Sequence, residues 1–244
     1  MSGCAAPSPY WQSPDGLVTV YHSRWEDVHA VGLLPVREVA LVHADPPYGV
    51  DEPTDRRGRS RATSKWHRNT VFPRIQGDNR PYDPAALLAL KRPSVLWGAN
   101  HYASRLPDSA AWISWDKRDG DRSNTNSDIE LAWTNIGDSA RVFRHLWMGL
   151  CRASEAGEAP LAPTQKPIAL SSYVFQRAKL RPGDLVFVPY LGSGPDLPAA
   201  VAMGLRVIAC DVESWCCRTA VGRLGAISQE AAAEPVGPLF GARQ

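Results

Sequence analysis

The sequence predicts an α/β protein built on a mostly parallel, twisted sheet, with helices on both faces and an antiparallel portion. Three observations carry this. Short continuous apolar runs, Val39–Ala44, Leu185–Val188 and Val207–Asp211, read as strands buried on both faces. Amphipathic stretches opening at Pro84, Pro167 and Pro198 alternate with such runs. Proline suits a first helical turn, where its missing donor is not needed. Between residues 94 and 147, strand-like runs follow one another with no helical stretch between them, as antiparallel neighbours do.

Taken in order, a lead-in rich in Ser, Pro and Gly (1–16) precedes a first strand at Leu17–Tyr21 and a second at Val39–Ala44. The second must stop at Pro46-Pro47, because two successive prolines cannot continue a ladder. A helix over Pro84–Lys91 leads into strands at Ser94–Trp97, Ala111–Trp115, Ile129–Trp133 and Val142–Trp147. Helix Pro167–Leu180, strand Leu185–Val188, helix Pro198–Gly204, strand Val207–Asp211 and helix Ser214–Leu224 complete the pattern. One domain over 17–228 is expected, with a tail at 229–244; 244 residues suffice for a substantial single core.

Composition excludes several classes. Hydrophobic residues make up 44% and charged ones 21%, ordinary values for a globular chain, and no apolar run approaches the ~20 residues of a membrane span. Net charge is only +2, so nucleic-acid contact must come from local patches. The five cysteines are an odd number, and Met1–Pro7 has neither the charge nor the apolar core of a signal peptide. Reduced thiols in a cytoplasm are therefore expected. Cys216-Cys217 lacks the spacing and the nearby His of a metal site, so none is expected. Of nine tryptophans, Trp97, Trp112, Trp115, Trp133 and Trp147 fall on strand-like runs and read as core.

Asp45-Pro46-Pro47-Tyr48 sits at the carboxyl end of a predicted strand, the edge where open α/β sheets bind ligands. A carboxylate, a stiff turn with free carbonyls and an aromatic ring suit methyl transfer to an exocyclic base amine. The lone pair of such an amine is delocalised into the ring. Asp45 and the Pro46 carbonyl can each accept one N–H and turn that lone pair toward a methyl group, while Tyr48 stacks on the base.

Alone, such a turn is commonplace. Three further segments follow it: Thr164-Gln165-Lys166-Pro167; Leu185-Val-Phe-Val-Pro-Tyr-Leu-Gly-Ser-Gly194; and Arg206-Val-Ile-Ala-Cys-Asp-Val-Glu213. In this order the chain resembles the S-adenosylmethionine-dependent DNA amino-methyltransferases of the permuted β-class, found in phages and restriction–modification systems. Trp97–Tyr102, Trp115–Arg118 and Glu130–Trp133 look like segments of the phage-type members, and the likeness runs from about Val18 to Leu224.

The resemblance implies a Rossmann-like methyltransferase fold, S-adenosylmethionine as cofactor and base flipping, with DNA as partner rather than RNA. Asp at the head of the tetrapeptide is commonest in adenine-N6 enzymes; cytosine N4 is the alternative target. Asp45, Pro46, Pro47 and Tyr48 take the catalytic role. Asp45, Thr164, Lys166, Gly192, Ser193, Gly194, Asp211 and Glu213 take the cofactor role, with Lys166 at the mouth of the site. An acid about 20 residues after a glycine turn is placed to grip a ribose.

The chain departs from the family at three positions: Val188 stands where relatives carry Asp, Ala162 where they carry His, and Pro195 where they carry Thr. Each lost partner predicts a loss of ~1–3 kcal/mol in cofactor affinity. A catalytically silent nucleic-acid-binding subunit with the same fold therefore stays open as an alternative. So does methylation of another planar amine. A nicotinamide enzyme is disfavoured by the absent third glycine of its fingerprint.

Immediately after the catalytic turn, Asp55–Arg68 carries Arg56, Arg57, Arg59, Arg61, Lys65 and Arg68, with Trp66 among them. Cations placed there are expected to neutralise the phosphates flanking an extruded base. Trp66 can stack on a base or fill the gap it leaves. The polar content of 51–70 predicts mobility without nucleic acid. His43 and His101 are assigned no chemistry.

Overall fold

The structure, a computed structural model, describes residues 6–54, 72–118, 127–149 and 151–233. Its strands are β1 (Trp11–Gln12), β2 (Val18–His22), β3 (Val39–Ala44), β4 (Ser94–Trp97), β5 (Trp112–Asp116), β6 (Ile129–Thr134), β7 (Arg141–Arg144), β8 (Trp147–Met148), β9 (Cys151–Arg152), β10 (Leu185–Val188) and β11 (Arg206–Asp211). The α-helices are α1 (Trp25–Ala30), α2 (Ala85–Leu88), α3 (Ile168–Arg177), α4 (Asp196–Ala202) and α5 (Ser214–Ala233).

All four residues of β10 are buried, as a strand covered on both faces requires. Alternation splits them. Val186 and Val188 face a core with Leu170, Val174 and Phe175 of α3, Leu197 and Ala200 of α4, and Cys217 and Ala220 of α5. Leu185 and Phe187 face Trp25 and Val28 of α1 and Leu87 of α2. The sheet is therefore the middle layer of three, as expected from the sequence.

Nine strands form the main sheet in the order β1-β2-β11-β10-β3-β4-β6-β5-β7. From β2 to β4 the pairings are parallel. Beyond β4, β6 runs antiparallel to both β4 and β5, while β7 lies parallel to β5. After β3 the chain proceeds to β4 on one side, and after β10 to β11 on the other. The crevice between the carboxyl ends of β3 and β10 is thus a topological switch point, the place where such sheets bind ligands.

Four details differ from the sequence reading. Within the 1–16 lead-in, Trp11 and Gln12 pair with β2 and extend the sheet. Helix α1 is additional; Trp25 and Val28, three apart, supply its buried face and Gly32 follows at φ +78°. The run at 142–147 does not continue as one strand, because Trp147 and Met148 leave the sheet to pair with Arg152 and Cys151 around Gly149. Helix α5 passes residue 228 and runs to Ala233. Its last turns, Ala-Ile-Ser-Gln-Glu-Ala-Ala-Ala, are rich in strong helix formers. Among the described residues, no helix is long and apolar enough to cross a membrane.

Candidate active site

Strand β3 ends at Ala44, and Asp45 follows at the switch point with its side chain about one-third exposed. The chain that leaves the double proline is held by a carboxylate 29 residues beyond Gly49. Asp78, buried, accepts the backbone N–H of Gly49 (2.8 Å), Val50 (3.3 Å) and Glu52 (2.7 Å). Three donors aimed at one carboxylate fix the direction of the turn, and with it Tyr48. The Tyr48 ring lies against Gly98, which sits at φ +67°; a Cβ there would come within 2.1 Å of the ring. Only glycine meets both demands. His101 stacks on Tyr48 with centroids 5.3 Å apart and planes 13° apart.

Lys166 completes this corner from the far end of the sequence. Its side chain is 7% exposed, and Nζ donates to Asp45 Oδ2 at 2.7 Å and to the Tyr48 hydroxyl at 3.0 Å. It also pairs with Glu130 Oε2 at 3.1 Å. The Tyr48 hydroxyl in turn donates to Asp45 Oδ1 at 2.6 Å, and Lys117 Nζ donates to Glu130 Oε1 at 3.0 Å. The charges alternate along the row Asp45, Lys166, Glu130, Lys117. Burial opposes the Lys166 ammonium, but the Asp45 and Glu130 carboxylates outweigh it and raise the group above the ordinary lysine range. Burial likewise opposes the Glu130 anion; Lys166 and Lys117 outweigh it and hold the carboxyl low. Burial, with Asp45 and Glu130 nearby, pushes the Tyr48 phenol well up, so it stays a donor. Lys166 is therefore part of the Asp45 turn, not a residue at the mouth of the site.

Across the crevice, the glycine turn follows β10. Gly192 lies at φ +53° with open space where a Cβ would be, while a Cβ on Gly194 would strike Ala220 of α5 at 2.3 Å. The turn is thus open toward the crevice and closed against the helix. Asp211, at the end of β11, braces it: Oδ2 accepts Gly192 N–H at 2.8 Å and Oδ1 accepts Glu213 N–H at 2.9 Å. Burial pushes the Asp211 carboxyl up despite those two donors. Asp211 is committed to the turn, whereas the part-exposed Glu213 carboxylate has no such bond among the described residues. Ser193 is buried and Thr164 exposed. Val188 is 1% exposed within the apolar core, and Ala162 and Pro195 are buried as well.

No protein-family model matches the sequence. Among solved structures, the PvuII DNA methyltransferase (cytosine-N4-specific) superposes with a TM-score of 0.54 at 11% identity, covering 85% of this chain and 85% of that one. M1.HpyAVI, solved in complex with SAM, superposes with a TM-score of 0.50 at 17% identity, covering 84% of this chain and 99% of that one. The chain has a DNA-methyltransferase fold.

Within this methyltransferase fold, the two halves of the crevice are joined underneath by a buried polar chain. His43, two residues before Asp45, meets Asp196 of α4 through Nδ1 at 2.5 Å and receives Trp97 Nε1–H on Nε2 at 2.8 Å. An indole N–H can only donate, so Nε2 must carry the lone pair and the imidazole proton sits on Nδ1, facing Asp196. A second buried pair closes the side wall. Arg223 of α5 binds Glu155 and donates to the Ser193 carbonyl at 3.2 Å. Glu155 also accepts the Ile168 N–H at 3.0 Å and the Gln165 side chain at 3.3 Å.

Sequence reasoning thus brings Asp45, Tyr48, Lys166, Gly192, Asp211 and Glu213 to one crevice but assigns no role to Asp78, Glu130, Lys117, Glu155 or Arg223. Glu130 and Lys117 carried a signal, since both lie in segments that resemble phage-type members. Asp78, in a plain Gly-Asp-Asn turn, carried none. The basic run Arg56, Arg57, Arg59, Arg61, Lys65, Trp66 and Arg68 lies outside the described residues.

Proposed function

We propose that this chain is an S-adenosylmethionine-dependent DNA methyltransferase acting on an exocyclic base amine, adenine N6 ahead of cytosine N4. One observation carries the reading: the Asp45 carboxylate, oriented by Lys166 and Tyr48, stands at the switch point opposite a braced, open glycine turn. The residues present fit the cofactor. Gly192 leaves room for a close approach, and Glu213 offers a carboxylate to a ribose diol. The neighbours in fold include a DNA methyltransferase and a protein bound to SAM, which supports the same reading.

Bound S-adenosylmethionine supplies a methyl group on a good leaving group. What the chain itself does is hold and polarise the amine. Lys166 occupies Asp45 Oδ2, leaving Oδ1, now shared with the Tyr48 hydroxyl, to accept an N–H of the target amine. The Pro46 carbonyl, past the end of β3, accepts the other. Fixing both N–H groups aims the nitrogen lone pair along a single line, and preorganisation of this kind adds no reorganisation cost at reaction. Tyr48 offers its ring for stacking, and the exposed His101 now lying on it is the group an incoming base displaces or joins. Lys166, held as an ammonium, is no acceptor for the proton the amine sheds. That proton leaves through Asp45 or to water.

Incubation with methyl-labelled cofactor and mixed-sequence DNA, followed by nucleoside analysis, tests this directly. N6-methyladenine is expected. N4-methylcytosine revises the target alone, and absence of label with retained DNA binding favours the silent subunit.

A further inference from the structure

We propose that Arg152 receives the carboxylate at the methionine end of the cofactor. The inference rests on the methyltransferase reading and adds a binding residue that the reading does not name.

A charged amino-acid end in a buried crevice needs a cation for its carboxylate. Lys166 is committed to Asp45, Tyr48 and Glu130. Arg223 is committed to Glu155 and the Ser193 carbonyl. Ala162 and Val188 bring no donor from their side chains. Arg152, on the hairpin whose Trp147 bonds the Gln165 carbonyl, has a donor to spare. Its Nη1 is buried and has no hydrogen-bond partner among the described residues.

Its place is set by what surrounds it. Strand β9 lies beside Trp147, whose indole donates to the Gln165 carbonyl, one residue before Lys166. The Arg152 guanidinium stacks on that indole, 4.3 Å from the ring centroid, and Nε donates to the Gly149 carbonyl at 2.8 Å. Those two contacts fix the plane of the fork. Glu155, three residues after Arg152, pairs with Arg223, which donates to the Ser193 carbonyl of the glycine turn at 3.2 Å. Burial costs the Arg152 charge, with Glu155 and Glu158 offsetting part of that cost. A planar, half-satisfied fork of this kind matches a carboxylate in two parallel bonds.

Calorimetric titration of the full chain with S-adenosylhomocysteine and with 5′-methylthioadenosine tests this, because only the first carries the carboxylate. The natural chain is expected to prefer S-adenosylhomocysteine. Arg152→Gln should shrink that preference at least about tenfold while leaving methylthioadenosine affinity in place, and Arg152→Lys should restore part of it. Unchanged methylthioadenosine binding also certifies that the variant is folded. An unaltered preference in Arg152→Gln removes Arg152 from the site and leaves the methyltransferase reading standing. Failure of the natural chain to bind either compound overturns both.

Discussion

Asp45 divides its two oxygens between Tyr48 and Lys166, so a change at any of the three is felt by the other two. Asp45→Ala should keep the fold and DNA affinity but lower turnover by at least about a hundredfold, the scale of losing one preorganised partner in the transition state. Near-normal single-turnover rates would remove Asp45 from the chemistry. Lys166→Met acts on stability instead. It leaves Asp45 and Glu130 as facing carboxylates with their shared ammonium gone. The expected cost is about 2–3 kcal/mol by urea denaturation. That falls below the full value for a broken buried pair, because Asp45 is one-third exposed. Adding Glu130→Gln should return part of the loss, since it removes one of the stranded charges; a purely additive double variant would show that the row of charges is not coupled.

At the scale of elements, Gly98 links β4 to the Asp45–Tyr48 turn. Gly98→Ala would press a Cβ into Tyr48 and hold alanine in the left-handed region, at a cost of about 1–3 kcal/mol. Because Tyr48 must move, activity should fall further than stability; a variant with normal thermal midpoint and normal turnover would contradict the contact. The same elements show what could be read in advance. Strand β10 was legible because Leu-Val-Phe-Val has nowhere to sit except between two helical layers. Asp45 was legible because a double proline ends a strand at a known edge. Lys166 was placed in the right region but at the wrong depth. Its partners lie 121 and 118 residues away in the chain, and no local pattern reports a contact of that range. Asp78 was illegible for a related reason: a carboxylate satisfied by backbone donors leaves no complementary charge in the sequence. The break at His145-Leu146 was missed because apolar pairs, Val142-Phe143 and Leu146-Trp147, stand on both sides of it, and only the pairing around Gly149 decides where the strand turns.

For the molecule as a whole, the charged row sets where stability depends on pH. Folding raises the Lys166 group, so its contribution is full below its ordinary value of 10.5 and fades as pH climbs through a higher one. Folding lowers the Glu130 group, so its contribution is full above 4.5 and is lost as pH falls through a lower value. The stability gap between the natural chain and Glu130→Gln should therefore be flat through neutral pH and close only below 4.5. A gap that persists unchanged well into acid would mean that Glu130 gains nothing from its lysines. The chain Trp97–His43–Asp196 has a different consequence. It is a strut with one end beside the Gly98–Tyr48 contact and the other in the helix behind the glycine turn. Whatever factor a bound cofactor imposes on the affinity for DNA, DNA must return to the cofactor. If His43 carries that exchange across the sheet, titrations of each ligand with and without the other, in the natural chain and in His43→Leu, should find the factor moving toward one in the variant.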